Sequence, residues 1–450
     1  MRADVWRRRS GQHSRVKLDA TIRASMAPQV TYFDRLRLKN VRCFRDAEIP
    51  FDKRVTVIVG ENASGKTTLM EAIASVTHGE NEGLQDFPLR HGAARGEVAL
   101  YEHGRKAAAA RWDSKLAARK RLPAENYVFL YGRYRRVLSP DSSEGPRNLT
   151  DIQYLDELAS HAAQSRTLTL TRPDNRLLQD LTGYLRGLNR GRESDPRLDT
   201  IWSRLNAALP QLDSSLSGIR MDKGTEYLIP KIVRGGVALE MAELSDGYQA
   251  MLVVVLDLML RYAYLFLEGD PLAGSALVGI DEIDLHLHPR WQRTVLPQLT
   301  ELFPNTQFVL TTHSPIVVQA AIDRNFTVLK LVEKDGAVTA QPLSNALMKR
   351  LHGADIGSLL FEEQLFGVES RFSVEFAQIE RRVEELQALV SSGAATEADY
   401  RELKSGLDKL EELVAKEDRR RADGSTMAQM VRMQAEFVKA LTDELEKARA

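Results

Sequence analysis

Short apolar runs mark the strands of the N-terminal half of the chain. Alternating apolar and polar residues begin near Val30, a second short strand is predicted around Ala47–Phe51, and Val55–Val59 is a β-branched run typical of a buried strand. A helix is predicted from Thr67 to Val76, after a loop that contains two glycines. The order strand, glycine loop, helix is the setting that a phosphate-binding loop requires.

The strand pattern resumes near residue 240. A long buried helix is predicted over Met251–Leu267, with Ser245 as the N-cap before it. Buried strands are predicted at Ala276–Ile280, Gln307–Leu310 and Phe326–Val332. Strands separated by helices indicate a largely parallel sheet with its ligand site at the carboxyl ends of the strands.

Residues 78–235 separate these two halves and have no single pattern. Helices are predicted at Ile152–Ala162, Arg176–Leu188 and Leu198–Leu209, with Pro and Gly breaks between them. We therefore predict a largely helical insertion between two parts of one nucleotide-binding fold.

The C-terminal segment carries two narrow apolar stripes with heptad-like spacing. The stripes are Phe372, Phe376, Ile379, Val383, Leu386 and Val390, and then Tyr400, Leu403, Leu407, Leu410 and Val414. Ser391–Gly393 interrupts them and Thr396 is placed to cap the second helix, which predicts an antiparallel helical hairpin. A third helix is predicted from Ser425 to about Arg449. Two roles stay open: packing within the chain, and docking of an oligomer or partner.

Composition adds few constraints. The chain has 450 residues with 62 basic and 62 acidic side chains, so its total charge favours no particular partner. The single cysteine, Cys43, excludes a disulfide within the chain and fits a reducing cytoplasm. Asp257 and Arg261 interrupt Met251–Leu267, which is also shorter than the ~20 residues of a membrane span, so no membrane association is expected.

The N-terminal residues 1–27 carry a basic excess and lack the apolar core of a signal peptide. We predict a disordered extension, or translation from Met26, with a nucleic-acid-binding arm as the alternative. The predicted organisation is this extension, an α/β head at 28–345 that contains the insertion, and a coiled-coil-like helical region at 346–450.

The loop after the first buried strand matches the phosphate-binding pattern G-x-x-x-x-G-K-[ST] in full. Its glycines let backbone N–H groups face a phosphate, and the following helix adds partial positive charge. Lys66 is predicted to reach the β- and γ-phosphates, and Thr67 to ligate Mg²⁺. The predicted nucleotide-binding residues are Gly60, Glu61, Asn62, Ala63, Ser64, Gly65, Lys66, Thr67 and Thr68.

Acidic and imidazole side chains follow two other predicted strands. Asp281 and Glu282 come directly after Ala276–Ile280, and His313 follows Gln307–Leu310. At such a strand end one carboxylate can hold magnesium, and a second can orient and deprotonate the attacking water. A histidine there can hydrogen-bond the γ-phosphate or position the water. The upstream phosphate-binding loop favours these roles over a solvated turn and a structural histidine.

Four motifs in this order resemble the core of the ABC-type ATPases. They are Gly60–Thr67, Leu244–Gln249, Ile280–Pro289 and Thr311–Pro315, matching the Walker A, signature, Walker B with D-loop, and H-loop motifs. The version is similar to the SMC, RecF and OLD branch, because Ile283 stands where transporter subunits usually have proline. The resemblance covers about Val30–Val332 and implies an α/β P-loop fold with a mixed or parallel sheet.

The resemblance also implies hydrolysis of Mg-ATP across a head-to-tail homodimer. Ser245 and Gly247 of one subunit would cover the γ-phosphate held by the other, and Asp284 would cross the dimer seam. The implied catalytic residues are Lys66, Glu282 and His313, and the implied metal ligands are Thr67 and Asp281.

Two features depart from the family pattern. Asp246 and Tyr248 replace the third and fifth residues of the common signature L-S-G-G-Q. No Q-loop glutamine is identified. Tyr131–Arg136 is a candidate for a nearby role, with its arginines close to phosphate or nucleic acid; a basic surface turn is the equal alternative.

Leu244–Leu252, and the segment from Leu365 into the helical hairpin, resemble the PtuA-like ATPases of Septu and some retron systems. That resemblance implies regulation of a separate effector, expected to be a nuclease, in anti-phage defence. The acidic strand-end cluster of the OLD nucleases is missing after Val332. A RecF- or SMC-like repair ATPase that contacts DNA or RNA, and a nucleotide-sensing scaffold without turnover, remain the alternatives.

Overall fold

The computed structural model describes residues 32–77, 89–113, 116–120, 122, 126–133, 135, 166–168, 175–224, 228–266, 270–368 and 374–418. The chain forms two compact units, Met1–Ala354 and Asp355–Ala450. Three predictions lie outside the described residues: the N-terminal extension 1–27, the helix at Ile152–Ala162 and the third C-terminal helix at Ser425–Arg449.

The strands of the described residues lie in the first unit. In chain order they are β1 Phe33–Val41, β2 Phe44–Pro50, β3 Val55–Val59, β4 Gly96–Glu102, β5 Arg105–Trp112, β6 Leu116–Lys120, β7 Val128–Tyr131, β8 Arg166–Leu168, β9 Leu216–Lys223, β10 Leu228–Arg234, β11 Val237–Glu240, β12 Leu277–Ile280, β13 Gln307–Thr312, β14 Thr327–Lys334 and β15 Ala337–Pro342. The buried strands predicted at Val55–Val59, Ala276–Ile280, Gln307–Leu310 and Phe326–Val332 are confirmed as β3, β12, β13 and β14.

The helices of the first unit follow or separate these strands. They are α1 Lys66–Thr77, α2 Asn175–Gly191, α3 Pro196–Leu212, α4 Asp246–Leu265, α5 Pro289–Leu302, α6 Pro315–Asp323 and α7 Asn345–Leu351. The buried helix predicted over Met251–Leu267 is confirmed as α4. No helix among the described residues is both long and apolar enough to cross a bilayer.

A seven-stranded sheet forms the centre of the first unit, in the order β15-β14-β3-β13-β12-β7-β8. The pairs from β14 to β8 are parallel, and only β15 pairs antiparallel with its neighbour. The carboxyl ends of β3, β12, β13 and β7 therefore meet at one edge, where the ligands of parallel α/β sheets bind. The predicted α/β fold with a mixed, largely parallel sheet is confirmed.

A second, antiparallel sheet packs on the other side of helix α1, in the order β2-β1-β4-β5-β6. One core contains Met70 and Ile73 of α1 together with Leu38 and Leu100 of this sheet and Ile58 of the central sheet. Burial of these apolar side chains fixes α1, and with it the preceding glycine loop, between the two sheets.

The structure corrects the prediction of a largely helical insertion at 78–235. The predicted helices at Arg176–Leu188 and Leu198–Leu209 are present as α2 and α3. The same segment, however, contains β4 to β10, and β7 joins the central sheet beside β12. In β5 the run Ala107–Ala110 has no polar alternation and a high helix propensity, and pairing with β4 overrides that propensity.

The second unit contains short helix α8, Ile356–Phe361, and the hairpin of α9, Val374–Ser391, with α10, Glu397–Asp418. The predicted hairpin is confirmed, with a core of Val383, Leu386, Leu403, Leu407 and Leu410. Thr396 Oγ1 accepts a hydrogen bond from the Asp399 backbone N–H at 3.3 Å, while Asp399 Oδ2 accepts from the Thr396 N–H at 2.7 Å. This reciprocal capping confirms the predicted helix start.

Candidate functional site

The loop between β3 and α1 is held in a conformation that requires glycine at position 65. Gly65 has φ 97°, and a Cβ there would lie 2.7 Å from Cys43 Sγ and 2.9 Å from the ring of Phe44. Ala63 also lies in the left-handed region, with φ 64°. The chain thus curls around the first turn of α1 as a phosphate-binding loop does, and Glu61, Asn62 and Ala63 face solvent.

Lys66 is buried inside this loop. Its Nζ donates to Gly60 O at 2.8 Å and Glu61 O at 2.7 Å, and Ser64 Oγ is 3.5 Å away. Burial lowers the pKa of Lys66, while the nearby carboxylates, Asp281 first among them, oppose that shift. Loop carbonyls therefore hold the ammonium group on the inner side of Gly60–Thr67, where a phosphate-binding loop encloses its anion.

Asp281 lies at the end of β12 and joins two of the predicted motifs. Its side chain is fully buried. Oδ2 accepts from Thr67 Oγ1 at 2.8 Å and Oδ1 accepts from Thr311 Oγ1 at 2.6 Å. A hydroxyl and a carboxylate in contact supply the hard oxygen ligands that Mg²⁺ prefers. These residues fit the predicted magnesium site.

Glu282 follows in a left-handed backbone conformation, with φ 49°. Its N–H donates to Thr311 Oγ1 at 2.7 Å, so the same threonine hydroxyl orients Asp281 and fixes the backbone of Glu282. A positive φ in a glutamate costs about 1–3 kcal/mol and persists only where surrounding contacts hold it. The half-buried Glu282 is thus held beside Asp281 by contacts from β13.

Arg135 supplies further contacts at the acidic strand end, so for this residue the structure contradicts the surface-turn alternative for Tyr131–Arg136. Its guanidinium is buried and donates to Gly132 O at 3.1 Å, Asp281 O at 2.7 Å and Glu282 O at 2.7 Å. Burial lowers its pKa to about 10, against the attraction of nearby carboxylates. Arg135 is therefore neither on a basic surface turn nor free for nucleic acid, because backbone carbonyls bind it. Tyr134 and Arg136 lie outside the described residues.

His313 directly follows β13 and lies opposite the acidic strand end. Asp284 Oδ1 accepts from Thr312 Oγ1 and, at 3.4 Å, from the His313 backbone N–H. Burial and then the charge of Lys66 lower the pKa of the His313 imidazole. A neutral imidazole offers one hydrogen-bond donor and one acceptor at neutral pH.

The signature residues occupy the N-terminus of α4. Ser245 is exposed at the N-cap position, but its hydroxyl makes no capping hydrogen bond, unlike the prediction. A Cβ on Gly247 would lie 2.5 Å from His286 O, so the signature helix closely approaches the backbone of the D-loop. No hydrogen bond among the described residues joins Ser245 or Gly247 to Gly60–Thr67.

The structure thus brings several of the predicted site residues to one place: Lys66, Thr67, Asp281, Glu282, Asp284 and His313. Within one chain, no described hydrogen bond joins the signature residues Ser245 and Gly247 to the phosphate-binding loop.

Sequence reasoning missed three side chains that shape this site. Thr311 and Thr312 anchor the acidic segment, and a threonine pair before the histidine is the signal that could have indicated them. Arg42 lies in the β1–β2 turn, forms an ion pair with Glu71 and donates to Thr68 Oγ1 at 3.2 Å. No local pattern distinguishes Arg42 from other surface arginines.

Residues 55–319 match the model of a protein family described as "AAA domain, putative AbiEii toxin, Type IV TA system". The chain is also similar to several curated proteins. It is 23% identical over 385 residues to the "Retron Vc95 probable ATPase" of Vibrio cholerae serotype O1 biovar El Tor, a match covering 66% of this chain and 74% of that protein.

Two further relatives are longer proteins that the chain matches in part. The "Retron Ec83 probable ATPase" of Escherichia coli is 33% identical over 156 residues, and the "Septu protein PtuA" of Bacillus mycoides (strain KBAB4) is 29% identical over 171 residues. These matches cover 33% and 38% of this chain but only 28% and 22% of the relatives.

Among solved structures, the chain is similar to an Smc head bound to the C-winged helix domain of ScpA. The match covers 70% of this chain and 99% of the Smc chain, with 18% sequence identity and a TM-score of 0.42.

Proposed function

The chain belongs to the AAA-domain family whose model matches residues 55–319 and is an ATPase; from this premise we propose that Gly60–Thr67 and Asp281–Glu282 form its ATP-hydrolysing site. One observation carries the proposal: Thr67 and Thr311 both hydrogen-bond the buried Asp281, and Thr311 also fixes Glu282. Two carboxylates are thereby held beside the loop that encloses Lys66, where the terminal phosphates of ATP bind in P-loop proteins.

Phosphate binding rests on the loop and on the start of α1. The N–H groups of Gly60–Thr67 and the helix N-terminus attract the phosphates, and Lys66 exchanges its loop carbonyls for phosphate oxygens. A magnesium ion held by Thr67 and Asp281 would neutralise charge that develops on those oxygens.

Glu282 has the position of a general base. Its carboxylate would accept a proton from the water that attacks the γ-phosphorus, as the bond to the β–γ bridging oxygen breaks. His313, neutral at pH 7, would hydrogen-bond the γ-phosphate or that water. The contacts of Thr311 and Arg135 with the Glu282 backbone keep the base in place without large rearrangement.

The exposed Ser245 supports a site completed by a second copy of the chain. Its hydroxyl makes no capping hydrogen bond, although it lies at the N-terminus of α4, the positive end of a twenty-residue helix. Facing another subunit, this end would contact the γ-phosphate held there, and Asp284 would lie at the seam between the subunits. ATP would then close a homodimer, and hydrolysis would open it.

The biological role that we propose is control of a separate effector in anti-phage defence in the cytoplasm. The names of the retron ATPases and of the Septu protein PtuA support this role. The effector is expected to be a nuclease carried by another chain. Dimer closure around ATP would change the effector's state.

The experiment compares Glu282→Gln with Lys66→Ala. Lys66→Ala should abolish nucleotide binding because the phosphates lose their buried cation. Glu282→Gln should bind ATP with wild-type affinity, hydrolyse it at least about a hundredfold more slowly, and accumulate as an ATP-dependent dimer in analytical ultracentrifugation. A Glu282→Gln protein that turns over ATP like wild type would show that another group is the base.

A further inference from the structure

A cluster of polar and aromatic side chains surrounds Asp213, at the C-terminal end of α3 and away from the P-loop. Asp213 Oδ2 accepts from Tyr248 Oη at 2.9 Å and from Trp291 Nε1 at 2.9 Å, while Oδ1 accepts from the Ser215 N–H at 2.7 Å. We name Asp213, Ser215, Arg234, Tyr248 and Trp291 the Asp213 cluster.

The members of the cluster come from separate elements of the head. Tyr248 is the third residue of α4 and follows the signature Gly247, whereas Trp291 lies in the first turn of α5, just after the D-loop. Their rings meet edge to face with centroids 4.3 Å apart. The Arg234 guanidinium, at the end of β10, lies 4.4 Å from the centre of the Tyr248 ring. The cluster thus ties the inserted segment to both motifs.

The negative charge of Asp213 strengthens the hydrogen bonds within the cluster. Burial opposes ionisation of Asp213, but the hydrogen bonds from Ser215, Tyr248 and Trp291 outweigh it and lower the pKa of this carboxyl group. Hydrogen bonds to an ionised acceptor are about twice as strong as neutral ones. In addition, Gln298 of α5 donates to Leu212 O at 2.5 Å, next to Asp213. The end of α3 is therefore held against helix α5 by contacts from both Trp291 and Gln298.

The cluster lies next to the closest approach of the signature helix to the D-loop. The neighbour of Tyr248, Gly247, is packed so tightly on His286 O that a methyl group there would lie 2.5 Å from that oxygen. A shift of Tyr248 or Trp291 therefore changes the position of Gly247 relative to the D-loop backbone. The replacement of the common signature glutamine by Tyr248 supplies the hydroxyl that reaches Asp213.

We propose that Asp213 is a positioning residue, through which the part of the inserted segment from α3 to β10 sets the orientation of Ser245–Gly247 and the D-loop for dimer closure. This proposal rests on the proposed function, because the signature residues act on ATP bound by another copy. A partner that moves α3 would change the affinity with which two ATP-bound copies dimerise. The P-loop of the same chain would stay unchanged.

The test measures ATP-dependent dimerisation in the Glu282→Gln background, which holds ATP without turnover. Tyr248→Phe keeps the ring and removes only the hydroxyl that donates to Asp213, and Asp213→Asn removes the charge. Each should weaken the dimer at least about tenfold in analytical ultracentrifugation, with unchanged affinity of the monomer for a fluorescent ATP analogue. The double variant should lose little more than either single variant, because both weaken the same hydrogen bond from Tyr248 to residue 213.

Tyr262→Phe is the matched control, because Tyr262 lies on the same helix α4 and its hydroxyl bonds Thr306 at 2.6 Å. It should leave dimerisation unchanged. Dimerisation of Tyr248→Phe equal to that of its parent, or equal losses in Tyr248→Phe and Tyr262→Phe, would overturn the positioning role alone. Failure of the Glu282→Gln parent to dimerise with ATP would instead overturn the proposed function, and with it this inference.

Discussion

Glu282 and Arg135 illustrate how a costly backbone conformation is maintained at the candidate site. Glu282 has a positive φ, which few non-glycine residues adopt. Arg135 donates to the backbone carbonyl oxygens of Asp281 and Glu282, at 2.7 Å each. The Thr311 hydroxyl accepts from the Glu282 N–H. The planar guanidinium reaches several acceptors at once, which an ammonium group does not.

Replacement of Arg135 by lysine should therefore reduce turnover more than nucleotide binding. Arg135→Lys keeps the charge but loses the fork that holds the Asp281 and Glu282 carbonyls, so we expect kcat to fall by about ten- to a hundredfold. The affinity for ATP should stay within about twofold of wild type, because Lys66 and Gly60–Thr67 are unchanged.

Steady-state ATPase kinetics and equilibrium nucleotide binding separate these two effects. Arg133→Lys, at an exposed position two residues earlier, is the control and should behave like wild type. Equal kcat values for Arg135→Lys and wild type would show that the Arg135 guanidinium is not needed to position Glu282 for turnover.

His313 gives the stability of the protein a defined dependence on pH. Burial and the Lys66 charge lower its folded-state pKa below the ordinary value, so the unfolded chain binds the proton more tightly. The resulting stabilisation is complete above the ordinary pKa of about 6.5 and is lost as the pH falls through the folded-state pKa. His313→Gln should therefore show a shallower loss of unfolding free energy between about pH 7 and pH 5.

Denaturant unfolding of both proteins across this pH range measures the difference. The same slope for wild type and His313→Gln would mean that the His313 imidazole is not desolvated in the folded state.

At the scale of elements, helix α4 connects the signature residues to the central sheet through a buried charge pair. Arg261 donates to Asp257 at 2.7 and 3.1 Å, and Tyr131 of β7 donates to Asp257 Oδ2 at 2.8 Å. Burial opposes the Arg261 charge, but Asp257 outweighs it and holds the pKa of Arg261 above its ordinary value. These contacts fix α4 against the strand next to β12.

Loss of the Asp257 charge should destabilise the head strongly. Asp257→Asn leaves the fully buried Arg261 guanidinium without its counter-charge, and breaking a buried pair in this way costs about 3–5 kcal/mol. Chemical denaturation followed by circular dichroism measures the change. Asp408→Asn, on the exposed face of α10, is the control and should stay within about 0.5 kcal/mol of wild type. An unchanged denaturation midpoint for Asp257→Asn would contradict this account of α4.

The elements also differ in how well the sequence predicts them. The strands β3, β12 and β13 could be predicted because they are compact, fully buried apolar runs that end at recognisable motifs. Strand β5 could not, because alanines give no alternation and favour a helix on their own. The heptad-like stripes predicted the hairpin, and their members Val383, Leu386, Leu403, Leu407 and Leu410 form its core.

At the scale of the whole molecule, the side chains whose roles the sequence did not reveal make contacts between distant parts of the chain. Arg135 lies in a run of polar and basic residues, which locally favours a surface turn, yet it meets carbonyl groups 146 and 147 residues away. Asp213 meets Tyr248 and Trp291 at separations of 35 and 78 residues. Local periodicity contains no information about such pairs, so the P-loop and the acidic strand end were predictable, whereas the side chains that support them were not.

The central claim is that one ATP is held by Lys66 of one copy and by Ser245 of another, and mixing two inactive variants tests it most directly. Lys66→Ala removes the phosphate cation, and Ser245→Arg places a bulky side chain at an exposed signature position. Each variant alone should have no measurable ATPase activity. In an equimolar mixture, half of the dimers pair one copy of each variant and contain one intact site, so the mixture should regain about a quarter of wild-type turnover. A mixture that stays inactive, or Ser245→Arg that is active alone, would contradict a site shared between two copies.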